Sequence, residues 1–314
     1  MQRRPVGSSG LSVSRLGLGT LTWGDGTDLE AATAQLATFA DAGGTLVETC
    51  DAYAGGAAQA VLGEAMGTGV PRDELVLAGR TTLPSGVEPA RGALLAALDA
   101  SLAQLGTGHL DLWQVPAVPD PDGRVPLDET LTAVQVAVLS GRARYAGLVA
   151  PRGWQLATAA ERARTVGAVC VPVSAQVEYS LLAREAEADL LPAAGFHGVG
   201  VLAWAPLGRG VLTGKYSGGV PADSRGASAR LAPYVEARRN ERSARIVHAV
   251  LTAADGLGTS PLAVALAWVR DRPGIAAAVV GARDAAQLSA SVATEPLLLP
   301  PEIRAALDDV SRPF

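Results

Sequence analysis

Lysine is almost missing from this 314-residue chain: of its 26 basic residues only Lys215 is one, and the rest are arginine. Cysteine is nearly as scarce. Cys50 and Cys170 cannot build a disulfide framework, which fits a reducing compartment and leads to the expectation of a cytoplasmic protein. No apolar run reaches the ~18–20 residues of a membrane span, and the first five residues, two of them arginine, lead into no signal-peptide core. Neither membrane association nor export is expected. A net charge of −5 without any basic block argues against nucleic acid as a partner. No Pro/Ser-rich linker, charge run or short repeat divides the chain, so residues 1–314 read as one domain. A G-x-G-x-x-G is also absent from the first strand-to-helix turn, which disfavours an open dinucleotide-binding sheet.

What is present is a rhythm. Short runs rich in Val, Leu and Ile predict strands at 14–19, 45–50, 75–80, 109–115, 145–149, 169–175, 200–205 and 277–280. Longer Ala/Leu/Glu/Arg segments with helical spacing follow each, at 29–42, 57–66, 89–105, 127–140, 153–166, 184–194, 260–270 and 285–294. Two further helices are predicted at 240–253 and 301–310. Ser260-Pro261 supplies an N-cap and a first-turn proline, and Asp284 caps the helix after it. Eight βα units with nearly continuous apolar strands imply a parallel sheet buried on both faces, and the length suits a closed α/β (β/α)8 TIM barrel. Residues 3–13 read as a β-hairpin plugging the N-terminal end, and the long loop 214–239 after strand seven of the barrel falls at the catalytic face.

Six stretches then carry a resemblance. They are Gly10-Leu11-x-Val13-Ser14-Arg15-Leu16-Gly17-Leu18-Gly19-Thr20, Asp41-Ala42-Gly43-Gly44-Thr45-Leu46-Val47 leading to Asp51-Ala52-Tyr53, and His109-Leu110-Asp111-Leu112-Trp113-Gln114. Gln176-x-Glu178-Tyr179-Ser180-Leu181-Leu182, the run from Ala205-Pro206-Leu207-Gly208-Arg209-Gly210 to Gly214-Lys215-Tyr216, and Gly281-Ala282-Arg283-x-x-x-Gln287-Leu288 complete the set. In this order, over nearly the whole chain, they resemble the aldo-keto reductase family. The resemblance implies carbonyl reduction with NADPH and no metal. It also implies a tetrad in which Tyr donates a proton, a Lys–Asp pair lowers the Tyr pKa, and His orients the carbonyl.

Tyr53 stands at the position of the acid, but the other three positions have changed. Glu48 replaces Asp, Arg80 replaces Lys, and Pro116 replaces His. Proline neither donates nor accepts through its side chain, and losing one such donor typically costs on the order of 3 kcal/mol in the transition state. Arg80 keeps a cation near Tyr53, yet its fork prefers a bidentate carboxylate. A Glu48–Arg80 salt bridge is therefore expected, either as a structural plug or as electrostatic support for Tyr53.

The resemblance also assigns the cofactor residues. The Ser-Asn pair expected after strand five is Val149-Ala150, and Gln176 remains as one carboxamide partner. Trp204 offers a stacking surface or packs the barrel top. Leu207, Gly208 and Gly210 belong to the cofactor loop, whose first serine is Ala205. Lys215, Arg225 and Arg283 fall where phosphates are clamped, with Gln287 near the adenine and Ala290-Ser291 in place of a Glu-Asn pair. Trp23 and Trp113 wall a substrate pocket or pack the barrel mouth. His109, His197 and His248 lack metal-ligand spacing, and Asp51 and Asp111 read as loop and strand-end residues. The expected function is an NADP(H) binder that reduces carbonyls through the rearranged Tyr53 site. The alternative is a catalytically silent module that serves an unknown protein partner.

Overall fold

The structure, a computed structural model, describes residues 1–84, 86–117, 125–165, 167, 170–222, 224–229 and 231–313. A hairpin opens the chain: β1 (Arg3–Pro5) pairs antiparallel with β2 (Ser12–Ser14). Eight parallel strands then close into a barrel. They are β3 (Leu16–Gly19), β4 (Leu46–Cys50), β5 (Val76–Arg80), β6 (Leu110–Pro116), β7 (Ala143–Val149), β8 (Ser174–Glu178), β9 (Gly200–Trp204) and β10 (Ile275–Val280), with β10 pairing back onto β3. Around them lie α1 (Leu29–Asp41), α2 (Ala57–Thr68), α3 (Arg91–Leu105), α4 (Leu127–Leu139), α5 (Gly153–Thr165) and α6 (Leu190–His197). The ring continues through α7 (Ala232–Ala237), α8 (Glu241–Gly256), α9 (Pro261–Arg270), α10 (Ala285–Val292) and α11 (Pro301–Val310). The expected (β/α)8 architecture is therefore present.

Helix starts follow capping chemistry. The Ser260 hydroxyl accepts from the Ala263 amide at 3.2 Å and Asp284 accepts from Gln287 at 2.8 Å, as read from the sequence. Asp28 and Asn240 cap α1 and α8 in the same way. The α9 helix is apolar on nearly all sides, with every residue from Ala263 to Arg270 buried, because α8, α10 and the barrel enclose it.

Two boundaries differ from the pattern by five residues or more, and a short helix, α7, forms inside the loop expected at 214–239. The sixth barrel strand is Ser174–Glu178 and not 169–175, of which residue 169 lies outside the described residues. The apolar run Val171-Pro172-Val173 mimics a strand, but Pro172 has no N–H for a ladder; pairing begins at Ser174, opposite Gly147 and Gly200. The sixth barrel helix starts at Leu190 and not at 184, because Arg184 is buried and its guanidinium is tied to Glu187, the Asp308 carbonyl and Ser311.

The hairpin plugs the N-terminal end. Val6, Leu11 and Val13 pack on Leu46, Ala78, Leu112, Leu202, Ala276 and Ala277 inside the barrel. Gly7 makes the close approach possible: its φ is +58°, and a Cβ there would sit 2.2 Å from the Gly198 carbonyl oxygen. With that end sealed, ligands can enter the barrel only from the C-terminal ends of the strands.

Candidate functional site

Strand alternation decides which side chains reach the axis. On β4, Leu46 lies in the plug cluster, so Glu48 and Cys50 stand above it on the same face. The same count places Arg80 on β5, Pro116 on β6, Gln176 and Glu178 on β8 and Trp204 on β9 toward the mouth. Glu48 is only 2% exposed. The Tyr53 hydroxyl donates to its Oε1 at 3.1 Å, and the Gln176 amide Nε2 donates to the same oxygen at 3.0 Å.

The expected Glu48–Arg80 salt bridge is not formed among the described residues; the Glu48 carboxylate is taken by Tyr53 and Gln176 instead. Arg80 turns its guanidinium over the face of the Tyr53 ring, 5.2 Å from the centroid, and its Nε donates to Cys50 Sγ at 3.4 Å. Burial pushes the Tyr53 hydroxyl well above the usual phenol range, Glu48 adds to the rise, and Arg80 opposes it without winning. The Arg80 cation over the ring face favours the phenolate but does not offset burial and Glu48. Burial works against the charge on Arg80, but Tyr53 and Glu48 outweigh it and hold Arg80 firmly protonated.

Tyr53, Glu48, Arg80 and Trp204 line a cavity of about 200 Å³ at the mouth, walled by Leu21, Leu207, Val279 and Val280. A second cavity, about 240 Å³, holds Lys215, Arg283, Gln287, Gly210, Ala290 and Ser291. The two share Leu207 and Gly281 as wall residues, so they adjoin each other between the barrel axis and the start of α10. Gly208 shapes the turn between them. Lys215 packs over the Tyr216 ring with its Nζ 5.2 Å from the centroid and ion-pairs with no described residue. At Gly210, φ is +94°, a conformation that favours glycine, and a Cβ there would press on the end of the Lys215 side chain, 2.8 Å from its Cε. Arg283 donates its backbone N–H to the Gln287 side chain at 3.2 Å. Arg225 begins a short 3-10 turn; its side chain and Asp223 lie outside the described residues.

An NADP(H)-shaped ligand finds both matches and gaps here. Gln176 Oε1 is buried with no hydrogen-bond partner, a spare acceptor at the barrel axis suited to a carboxamide N–H. Ala150, where the resemblance puts a second amide, has no side-chain donor. The backbone nevertheless keeps a left-handed φ of +46° there, a conformation that asparagine tolerates and alanine resists. The four described non-glycine residues with positive φ are Ala54, Ala150, Ala205 and Arg209. All follow the C-terminal ends of β4, β7 or β9, where strain is commonly held for function. Relief should be measurable. Ala150→Gly is expected to raise unfolding free energy by about 1 kcal/mol in urea titrations, while Ala150→Asn should additionally tighten NADPH binding. Equal midpoints for wild type and Ala150→Gly would show that position 150 is unstrained.

Two expected pocket residues are elsewhere. Trp113 is fully buried on the outward face of β6, one residue out of phase with Gln114's inward neighbours, and its Nε1 donates to Thr81 Oγ1 at 2.8 Å. Trp23 is fully buried against α1, donating to Gln35 at 3.2 Å. Neither lines the cavity, and period-2 counting along β6 was the available signal for Trp113. Arg209 and Tyr234 were not singled out, although Arg209 sits between two glycines of the loop motif. Its guanidinium lines the cavity and stacks 4.1 Å from the centroid of Tyr234, whose hydroxyl donates to Glu178. Arg238 covers the other face of Tyr234, also at 4.1 Å, and binds Glu178 at 2.7 Å. This clasp fastens the long loop to the end of β8. No group of three metal-ligating side chains occurs among the described residues.

The model of the "Aldo/keto reductase family" matches residues 15–312. An uncharacterized oxidoreductase, YrpG, of Bacillus subtilis is 33% identical, covering 99% of this chain and 96% of its own length. A putative voltage-gated potassium channel subunit beta of Schizosaccharomyces pombe is 30% identical, with 98% and 92% covered. A probable voltage-gated potassium channel subunit beta of Arabidopsis thaliana is also 30% identical, with 96% and 94% covered.

Proposed function

The chain belongs to the aldo/keto reductase family, and from that membership we propose that it binds NADP(H) along the mouth cleft and reduces small carbonyl compounds slowly through Tyr53. The adjacency of the two cavities at Leu207 and Gly281 carries this reading. Trp204 would back the nicotinamide, Gln176 would accept from its carboxamide, and Lys215 with Arg283 would hold phosphates, joined by Arg225 where the family resemblance puts it. Bound NADPH supplies the hydride. Tyr53 gives its proton to the carbonyl oxygen and its phenolate takes one back from water at the mouth, with Glu48 and Gln176 positioning the hydroxyl and Arg80 steadying the ring. Slowness follows from a phenol held above its usual pKa and from Pro116, which offers no donor at the carbonyl.

Titration of NADPH fluorescence tests the reading. Wild type is expected to bind, and Lys215→Met to bind roughly 10–100-fold more weakly, the scale of one charge-assisted contact. No fluorescence change at saturating protein would overturn it. One observation favours a second reading, a silent NADP(H)-binding module acting on a protein partner: the Tyr53 proton points at Glu48. Two relatives are named as channel subunits, which supports a partner-binding role in this lineage. NADPH binding without turnover of 4-nitrobenzaldehyde, absent even after Glu48→Asp, Arg80→Lys and Pro116→His are combined, would select that module.

A further inference from the structure

Trp23, buried away from the mouth cavity, belongs to the loop between β3 and α1, and the bonds of that loop show what it holds. The loop is tied to itself: the Gly24 N–H donates to the Thr27 carbonyl at 2.8 Å and the Thr27 N–H to the Thr22 carbonyl at 3.0 Å. It is tied to α1 as well, through the Trp23 indole and Gln35. Two hydroxyls then reach from it to the turn between β10 and α10. Thr22 Oγ1 donates to the Ala282 carbonyl at 3.2 Å and Thr27 Oγ1 to the Arg283 carbonyl at 3.3 Å. Both threonines are buried, and their hydroxyl oxygens lie 3.1 Å apart.

Two hydroxyls carry two donor protons, so only two of these three contacts are hydrogen bonds at any moment. The pair cannot donate to each other simultaneously, so at least one of the two carbonyls is bonded in every arrangement. The Ala282–Arg283 peptide is held at its other end too. Its carbonyl accepts from Thr22, and its N–H donates to the Gln287 side chain at 3.2 Å. Arg283 and Gln287 line the second cavity with Lys215, whereas Thr22 and Thr27 line neither cavity. Their hydroxyls are spent on the backbone that carries Arg283.

We propose that Thr22 and Thr27 are positioning residues for nucleotide binding: they fix the 282–283 peptide so that Arg283 stands ready for a phosphate before the nucleotide arrives. The inference rests on the function proposed above for the phosphate end alone. Such preorganisation raises affinity by lowering the entropy lost on binding, with no contact of its own to the ligand. The probes are NADPH, adenosine 2′,5′-bisphosphate for the phosphate cavity, and reduced nicotinamide mononucleotide for the mouth, each titrated calorimetrically against the full chain. Combining Thr22→Val with Thr27→Val keeps the side-chain shape and removes both donors. That variant is expected to bind NADPH and the bisphosphate roughly 5–10-fold more weakly, by a common factor, and the mononucleotide as wild type does. Combining Thr22→Ser with Thr27→Ser should restore wild-type affinity, and thermal melts show which variants are folded. If the valine pair does not fold, Thr22→Val alone, which frees the Ala282 carbonyl, should give the same pattern at roughly threefold. Unchanged bisphosphate affinity in the valine variant, or a loss that serine does not restore, would overturn the proposal. So would an equal weakening of the mononucleotide, which would mean a general loosening of the loop; each of these results leaves NADP(H) binding by wild type intact. A wild type that binds the bisphosphate and not NADPH would fail the function above and not this inference, and one that binds neither ends both.

Discussion

Arg270→Met is expected to remove about 3–5 kcal/mol of unfolding free energy, the cost of breaking a buried charge network from one side. Arg270 ends α9 with its side chain wholly buried. Its guanidinium donates to the carbonyls of Thr294 at 3.1 Å and Glu295 at 2.7 Å, and also to that of Leu297. These follow the end of α10, so one side chain satisfies carbonyls that the finished helix and its exit turn leave open. The remaining N–H groups hold Asp271, with Nε to Oδ1 at 2.8 Å. Arg15 shares this acidic pair, reaching Glu295 at 2.6 Å and Asp271 at 3.5 Å, and Arg4 donates to the Arg270 carbonyl at 3.0 Å. The network thus joins the hairpin, α9 and the segment after α10 beneath the barrel. Methionine fills similar volume but leaves those carbonyls without donors. Against a typical total of ~5–15 kcal/mol, the variant would be marginal at 37 °C. Urea unfolding at pH 7 measures it. A loss below ~1 kcal/mol would mean that water or the backbone replaces the fork. Arg270→Lys should fall between, since one ammonium cannot serve three carbonyls and a carboxylate in a plane.

Much of this molecule was legible in the chain because its signals are local. Strand and helix periods, Ser260-Pro261 and the Asp284 cap need only neighbours in sequence, and they place the barrel elements to within a few residues. The misplaced sixth strand marks the limit of that logic. Val171-Pro172-Val173 has a strand's composition, and only the ladder between Gly147 and Gly200 excludes it. The placement of Tyr53, Arg80 and Pro116 at or just beyond strand ends, with Glu48 inside β4, was likewise legible. Which partner Glu48 chooses was not. A charge pair looked compelling from residue types, but Gln176 arrives from 128 positions away to compete for the same oxygen. Arg80 finds a ring face and a thiol instead. The Arg209–Tyr234–Arg238 clasp was hidden for a related reason, because stacking of arginine on tyrosine leaves no spacing rule in sequence. Lys215 stands between these cases. Its scarcity drew attention, and the structure adds the glycine that makes room for it.

Alkaline solution should unfold the protein steeply, and the sign follows from three tyrosines. Burial raises the hydroxyls of Tyr53, Tyr179 and Tyr234 above the ordinary phenol value, and Glu48, Glu187 and Glu178 respectively push them further. Each hydroxyl donates to its carboxylate, so ionisation would lose that bond and set two anions side by side. Below pH ~10 all three are protonated in both folded and unfolded chains, and their contribution is fully present. Above it the unfolded chain releases protons that the native state retains. Stability then falls by up to about 1.4 kcal/mol per pH unit for each tyrosine, or about 4 kcal/mol per unit together. The buried thiols of Cys50 and Cys170, also raised, begin the decline nearer pH ~8.5. Urea titrations from pH 8 to 11 should show this slope, and Tyr53→Phe should flatten it by the share of one proton. A wild-type stability unchanged up to pH 11 would contradict the burial and carboxylate contacts of all three rings. The same raised value bears on chemistry. A Tyr53 that stays protonated throughout the neutral and mildly alkaline range gives any carbonyl reduction a kcat/KM without an alkaline limb from this residue. A phenol lowered by a lysine at its oxygen would lose its proton, and the rate with it, within that range.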